Sequence, residues 1–139
     1  MKHLCLIVTC GLLLLTTAAC EMTNTAERAE PIAQSDPVAI KKVQVDPTLK
    51  AQAEIVSANQ GIVSGNLLKV QVVVRNNWAL RKTFNYKWEW FDVNGMVVDS
   101  PTSRVWQLAR LQPKESITIT GIGPNPNVVD FRLKLVERP

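Results

Sequence analysis

Three observations predict an all-β fold, an immunoglobulin-like antiparallel β-sandwich of about seven or eight strands. Apolar and polar residues alternate with a period of two through most of the chain beyond residue 37. No window of eleven or more residues after Cys20 carries a helical stripe, and turn residues punctuate the alternating runs. Many short, half-polar strands within about 100 residues are what two packed antiparallel sheets require.

In chain order, the first short strand candidates are Ile40–Val45 and Glu54–Ser57. Leu68, Val70, Val72 and Val74 then alternate with Lys69, Gln71, Val73 and Arg75. Phe84, Tyr86, Trp88 and Trp90 alternate with Asn85, Lys87 and Glu89, and Met96–Val98 follows. Trp106 and Leu108 flank Gln107, Ile117 and Ile119 sit among Ser and Thr, and Phe131, Leu133 and Leu135 close the pattern. The expected turns are Asn59-Gln60-Gly61, Asn76-Asn77, Asn94-Gly95, Ser100-Pro101, Gln112-Pro113 and the loop Gly121–Asn127. Trp88, Trp90 and Trp106 are the expected large core pieces. An inter-sheet disulfide is excluded, because Cys5, Cys10 and Cys20 all precede the domain. Tyr86 falls mid-strand, where a tyrosine corner would not be. A small β-barrel is the alternative closure of the same strands.

The N-terminus has a different chemistry. Met1-Lys2-His3 is a short basic start, Leu4–Leu15 is apolar except for Thr9, and small residues lead to Cys20. That is the layout of a secretory signal peptide, residues 1–19, and the run is shorter than the about 20 apolar residues of a spanning helix. The segment Leu15-Thr16-Thr17-Ala18-Ala19-Cys20 resembles the lipobox of bacterial lipoproteins, with Thr17 where that motif usually has an aliphatic residue. The resemblance implies diacylglycerol on the Cys20 sulfur, cleavage before it and acylation of the new amine. Several acyl chains make a lasting anchor where one does not. Glu21 follows, not the Asp that tends to retain such proteins at the inner membrane, so the implied address is the outer membrane, facing the periplasm. An ordinary cleaved signal with an incidental cysteine is the plain alternative.

Residues 20–37 carry four acids, one base and two prolines with few large apolar side chains, the composition of a tether that cannot bury a core. The 17 residues after Cys20 reach about 56 Å fully extended and about 23 Å as a flexible coil. Residues 38–139 form the domain, with 14 bases against 8 acids, a net of +6. The bases are scattered singly apart from Lys41-Lys42 and Arg81-Lys82, so solvated sheet faces explain them better than nucleic-acid binding does. An anionic envelope partner is the functional alternative.

The only histidine is His3, so the domain has neither His nor Cys. His-based triads, thiol nucleophiles, Cys/His zinc sites and haem ligation are thereby excluded from it, and no cofactor or metal is expected. Glu89, Asp92, Asp99 and Asp130 stem from different strands and turns, and no spacing pairs them as an acid and base. The loop Gly121-Ile122-Gly123-Pro124-Asn125-Pro126-Asn127 lacks the third glycine and following helix of a phosphate cradle, and reads as a strand connection.

The Asn94-Gly95 hairpin leaves two alternatives open. A two-residue type I′ turn would set Val93 opposite Met96 and Phe91 opposite Val98. Phe91, Val93, Met96 and Val98 would then form an apolar patch on the solvent side, a candidate partner contact. A bulge near Asp92 would instead swap the faces and turn these residues into the core.

The string Phe84-Asn85-Tyr86-Lys87-Trp88-Glu89-Trp90-Phe91-Asp92-Val93-Asn94-Gly95-Met96, preceded by Leu68–Asn76 and followed by Phe131-Arg132-Leu133, resembles the YcfL family of bacterial lipoproteins. The resemblance spans roughly residues 60–136. It implies a periplasmic β-sandwich with no assigned activity and no catalytic residues to carry over. Genes of that family tend to sit near lipoproteins that regulate cell-wall synthases, which implies envelope work by association.

The expected function is therefore non-catalytic. It is a binding or scaffold module tied to the lipid bilayer through acylated Cys20, with an envelope protein or wall polymer as partner and no nucleic acid. One alternative is a structural subunit of a secretion or envelope machine, like the small β-sandwich lipoproteins of type VI systems. The other is a carboxylate-dependent cell-wall hydrolase.

Overall fold

The structure is a computed structural model that describes residues 35–138. Residues 1–34, including the expected signal, Cys20 and most of the tether, lie outside the described residues. Eleven elements follow in order: α1 (Pro37–Lys41), β1 (Val43–Val45), α2 (Pro47–Lys50), β2 (Ala53–Val63), β3 (Leu67–Asn76), β4 (Lys82–Phe91), β5 (Val97–Val98), α3 (Pro101–Arg104), β6 (Gln107–Leu111), β7 (Ser116–Ile122) and β8 (Asp130–Glu137). Eight strands form two sheets, as the alternation predicts. The larger sheet runs β1-β8-β4-β5, with β6 also paired to β4; the smaller runs β2-β3-β7. Every pairing is antiparallel except β1 with β8, so the larger sheet is mixed.

Each short helix begins at a proline preceded by a capping side chain. The Asp36 carboxylate accepts from Val38 N and Asp46 from Thr48 N, while Ser100 and Ser103 exchange side-chain and main-chain bonds in a capping box. Proline fits there because its missing N–H would be unpaired in the first turn anyway. The Asp-Pro at 36–37 turns the first half of the expected 40–45 strand into α1, and only Val43–Val45 is extended. Folded contacts start before residue 38, since the Ser35 hydroxyl and Asp36 N–H both engage Ala58. The expected turn at Asn59–Gly61 is instead strand, the middle of β2. The reversal comes at Ser64–Asn66, where Gly65 (φ 78°) and Asn66 (φ 58°) supply the left-handed residues a tight hairpin needs.

The inner faces carry the expected periodic residues. Leu68, Val70, Val72 and Val74 of β3 and Ile119 of β7 meet Phe84, Trp88 and Trp90 of β4 and Phe131, Leu133 and Leu135 of β8, all buried. Trp106 does not join them; it is 44% exposed, and Leu108 is exposed beside it. Both parities of the stretch 105–111 are apolar, and the pairing of Phe84 with Ala109 turns Ala109 and Leu111 inward instead.

Trp88 spans the gap between the sheets. It stacks on Trp90 at 5.3 Å between centroids, tilts against Phe131 at 5.8 Å, and covers Gly121 of β7. A Cβ at residue 121 would lie 2.6 Å from Trp88 Cε2, so only glycine leaves room for the indole. At the end of the sandwich, buried Asn76 ties the sheets together. Its amide donates to Leu80 O at 2.9 Å and Gln112 O at 3.0 Å, and its oxygen accepts from Trp78 N at 2.9 Å.

Gly121→Ala is expected to lower stability by about 1–3 kcal/mol, the cost of overpacking a rigid aromatic contact, read as a lower urea midpoint. Adding Trp88→Phe to Gly121→Ala should restore part of that loss; strictly additive losses would show that the two side chains do not oppose each other.

Candidate functional site

The hairpin after β4 opens the site. Asp92 N donates to Met96 O and Gly95 N to Asp92 O, both at 3.0 Å, which makes Val93–Gly95 a three-residue loop. Gly95 has φ 76°, the left-handed residue that ends such a loop. One Asp92 carboxylate oxygen accepts from Asn94 N and Met96 N, both at 2.9 Å, and fixes the loop from inside. The extra residue shifts the register from the two-residue expectation. Phe91 pairs with Val97 and Trp90 with Val98.

The four residues singled out in the sequence therefore divide. Val98 turns toward the core and packs against it, which corrects its expected place on the solvent face. Phe91 stays on the outer face, half-buried beneath the Arg132 guanidinium at 5.2 Å. Val93 and Met96 stand exposed at 76% and 66%. Val97, at 62%, takes the place expected of Val98, and Val129 joins at 51% through its N–H bond to Phe91 O. Sequence reasoning missed Val97 because one residue of loop length exchanges it with Val98. It missed Val129 because Val128 beside it is the one buried.

A shallow cavity of about 520 Å³ lies at this end of the larger sheet. Phe91, Val93 and Val129 give it apolar walls, and Lys41, Lys42, Arg132, Asp92 and Asp130 give it charge. Lys42 bonds Asp130 at 2.5 Å and Arg132 reaches Glu89 at 3.4 Å, so two of the three cations face a carboxylate. The outer sheet face continues in the same manner, with Lys134 on Glu89 at 2.6 Å and Lys87 over the exposed Trp106 ring at 5.6 Å.

The candidate carboxylates are all engaged. Glu89 faces Lys134 and Arg132, Asp92 holds the loop, Asp99 pairs with Arg104, and Asp130 pairs with Lys42. Burial pushes the Glu89 carboxyl up, but the Lys134 hydrogen bond and the charges of Lys134, Arg132 and Lys87 outweigh it and hold the group below its ordinary value. Asp99 is likewise lowered, chiefly by the Arg104 hydrogen bond. Carboxylates held ionised in this way are poor proton donors near neutrality. Among the described residues no three His, Cys, Asp or Glu side chains converge on a metal position. What the arrangement offers chemically is a contact surface, apolar at the tip and cationic at its border.

The architecture and this surface define a small β-sandwich domain. Residues 40–137 match the family described as protein of unknown function DUF1425, and the chain belongs to that family. Two crystal structures are similar in fold. Campylobacter jejuni cj0090 is 20% identical with a TM-score of 0.60, over 70% of this chain and 98% of that one. A DUF1425 family member from Shewanella sp. pv-4 is 21% identical with a TM-score of 0.57, over 63% of this chain and 79% of that one. No match is found among curated proteins.

Glu89→Gln should cost about 1 kcal/mol at pH 7, since a mostly buried carboxylate loses two cationic partners. Because the folded carboxyl titrates below its unfolded value, its contribution is full above the unfolded value and is lost as pH falls through the folded one. Urea midpoints of the two proteins should therefore differ at pH 7 and converge in acid; a gap independent of pH would contradict the ion-pair account.

Proposed function

We propose that the protein is a lipoprotein of the YcfL type, anchored in the outer membrane through acylated Cys20. Its β-sandwich faces the periplasm and acts as a non-catalytic binding or scaffold module for another envelope protein. The observation that carries this reading is the apolar tip of the larger sheet: Val93, Met96, Val97 and Val129 are all more than half exposed, Val97 and Val129 are paired with Phe91, and Val93 and Val129 line the cavity that Lys41, Lys42 and Arg132 also line. Contiguous exposed apolar residues with a charged rim are the usual composition of a contact surface. Single exposed valines would need no such account. The anchor rests on the run Leu4–Leu15 and the small residues before Cys20. The engagement of each candidate carboxylate in an ion pair or loop bond favours binding over hydrolysis as the role of this surface.

A photo-cross-linking residue placed at Val97 or Val93 in intact cells is expected to give a discrete protein adduct. One placed at Gln71, on the outer face of the smaller sheet, should give none. Val97→Asp with Val93→Asp should abolish an adduct formed from Met96 while changing stability by no more than about 0.5 kcal/mol. Equal adducts from both faces, or none from the tip, would refute the contact surface. Separately, Cys20→Ala should eliminate palmitate labelling and release the protein from the membrane fraction; wild-type protein that takes up no label would refute the anchor.

A further inference from the structure

Among the strand edges of this sandwich, that of β7 is the least protected. Its seven residues, Ser116-Ile117-Thr118-Ile119-Thr120-Gly121-Ile122, include no charge and no proline. The register of β7 on β3 has no bulge, and pairs Val72 with Ile119. Asn76 N donates to Glu115 O and Gly123 N to Leu68 O, so the odd-numbered residues of β7 direct their main-chain groups at β3. The N–H and C=O groups of Ser116, Thr118, Thr120 and Ile122 consequently point to the free side. They have no main-chain partner among the described residues.

The other edges are protected by devices that natural sheets use against edge pairing. β2 has an irregularity between Ile55 and Ser57, and the outward groups of Ala58 are taken by Ser35 Oγ at 3.0 Å and Asp36 N at 2.9 Å. β1 and β5 are three and two residues long. β6 has five residues with Arg110 among them. A bulge-free, uncharged edge of seven residues is a template for another strand.

We propose that β7 is a self-pairing site, on which a second copy of this chain adds its own β7 antiparallel about a two-fold axis at Ile119. That register sets Thr118 opposite Thr120 of the partner copy and Ser116 opposite Ile122. Each of these pairs exchanges two main-chain hydrogen bonds, so every outward group of both strands is used. The choice of a second copy over a foreign strand follows from this self-complementarity. The facing side chains are small or β-branched, the threonine hydroxyls meet across the axis, and no like charges are opposed. Two three-stranded sheets then become one of six strands, and the apolar tips of both copies remain free. An edge pairing of this length buries less than a standard interface, so the association is weak and reversible.

The test uses the full chain with Thr118→Cys and Thr120→Cys, compared with wild type, which carries the same three native cysteines. Hydrogen-bonded antiparallel neighbours lie about 5.5 Å apart at Cα, within disulfide range. Mild oxidation should therefore give a dimer of twice the chain mass on a non-reducing gel, well above wild type. Adding Ser116→Lys with Ile122→Lys sets lysine against lysine in the proposed register and should reduce the cross-linked yield at least about tenfold. Ser116→Lys with Ile122→Glu opposes unlike charges and should restore it. All four side chains are exposed, so the fold tolerates these changes, checked by an unchanged urea midpoint. Absence of the dimer, a dimer indifferent to the charges, or an adduct of another mass would overturn the proposal, the last by assigning the edge to a foreign strand.

Discussion

The structure depends on one packing constraint, the fit of the Trp88 indole against the bare backbone of Gly121. Within residues 35–138 there is no cysteine, so nothing covalent holds the sheets together, and the separation between them is set by what lies in the gap. Trp88 sets it here, stacked on Trp90 and backed by Phe131. Among the described residues its Nε1 meets no acceptor. The close approach of the ring to Gly121 shows that the indole acts here through its volume and shape.

Once that gap is filled, the β4 parity fixes everything on the outside. Phe84, Tyr86, Trp88 and Trp90 face inward, so Lys87, Glu89 and Phe91 must face outward. The pairing with β8 then places Arg132 and Lys134 beside Glu89. An ordered cationic face with one central carboxylate thus follows from the same register that fills the core. Glu89 stays ionised because its neighbours were placed by the ladder, and that argues for a fixed counter-ion in this position.

The two ends of the sandwich serve different purposes. At one end Asn76 satisfies three main-chain groups and joins β3 to the loops before β4 and β7. At the other, the Asp92 loop is held by its own carboxylate and needs no support from the core. It can therefore present Val93 and Met96 to solvent without loosening Trp90 just behind it. The proposed contact surface and the free β7 edge are thereby independent features.

By itself the sequence determined the fold class, the inward residues of β3, β4 and β8, and the lack of histidine and cysteine in residues 38–139. Side-chain parity in a strand is local, and a period of two survives any tertiary arrangement. The three short helices are not legible in the sequence, which predicts a turn at Ser100-Pro101 and tether at Asp36-Pro37, because helices of four or five residues are too short to leave a periodic stripe. The tertiary structure alone decided three things. It turned Trp106 and Leu108 outward, because both parities there are apolar and only pairing with β4 separates them. It exchanged Val97 for Val98 on the surface, because loop length sets register and one residue reverses every face after it. It left β7 paired on one side only among the described residues, because which strands lie at an edge follows from how distant segments pair, and no local pattern encodes that.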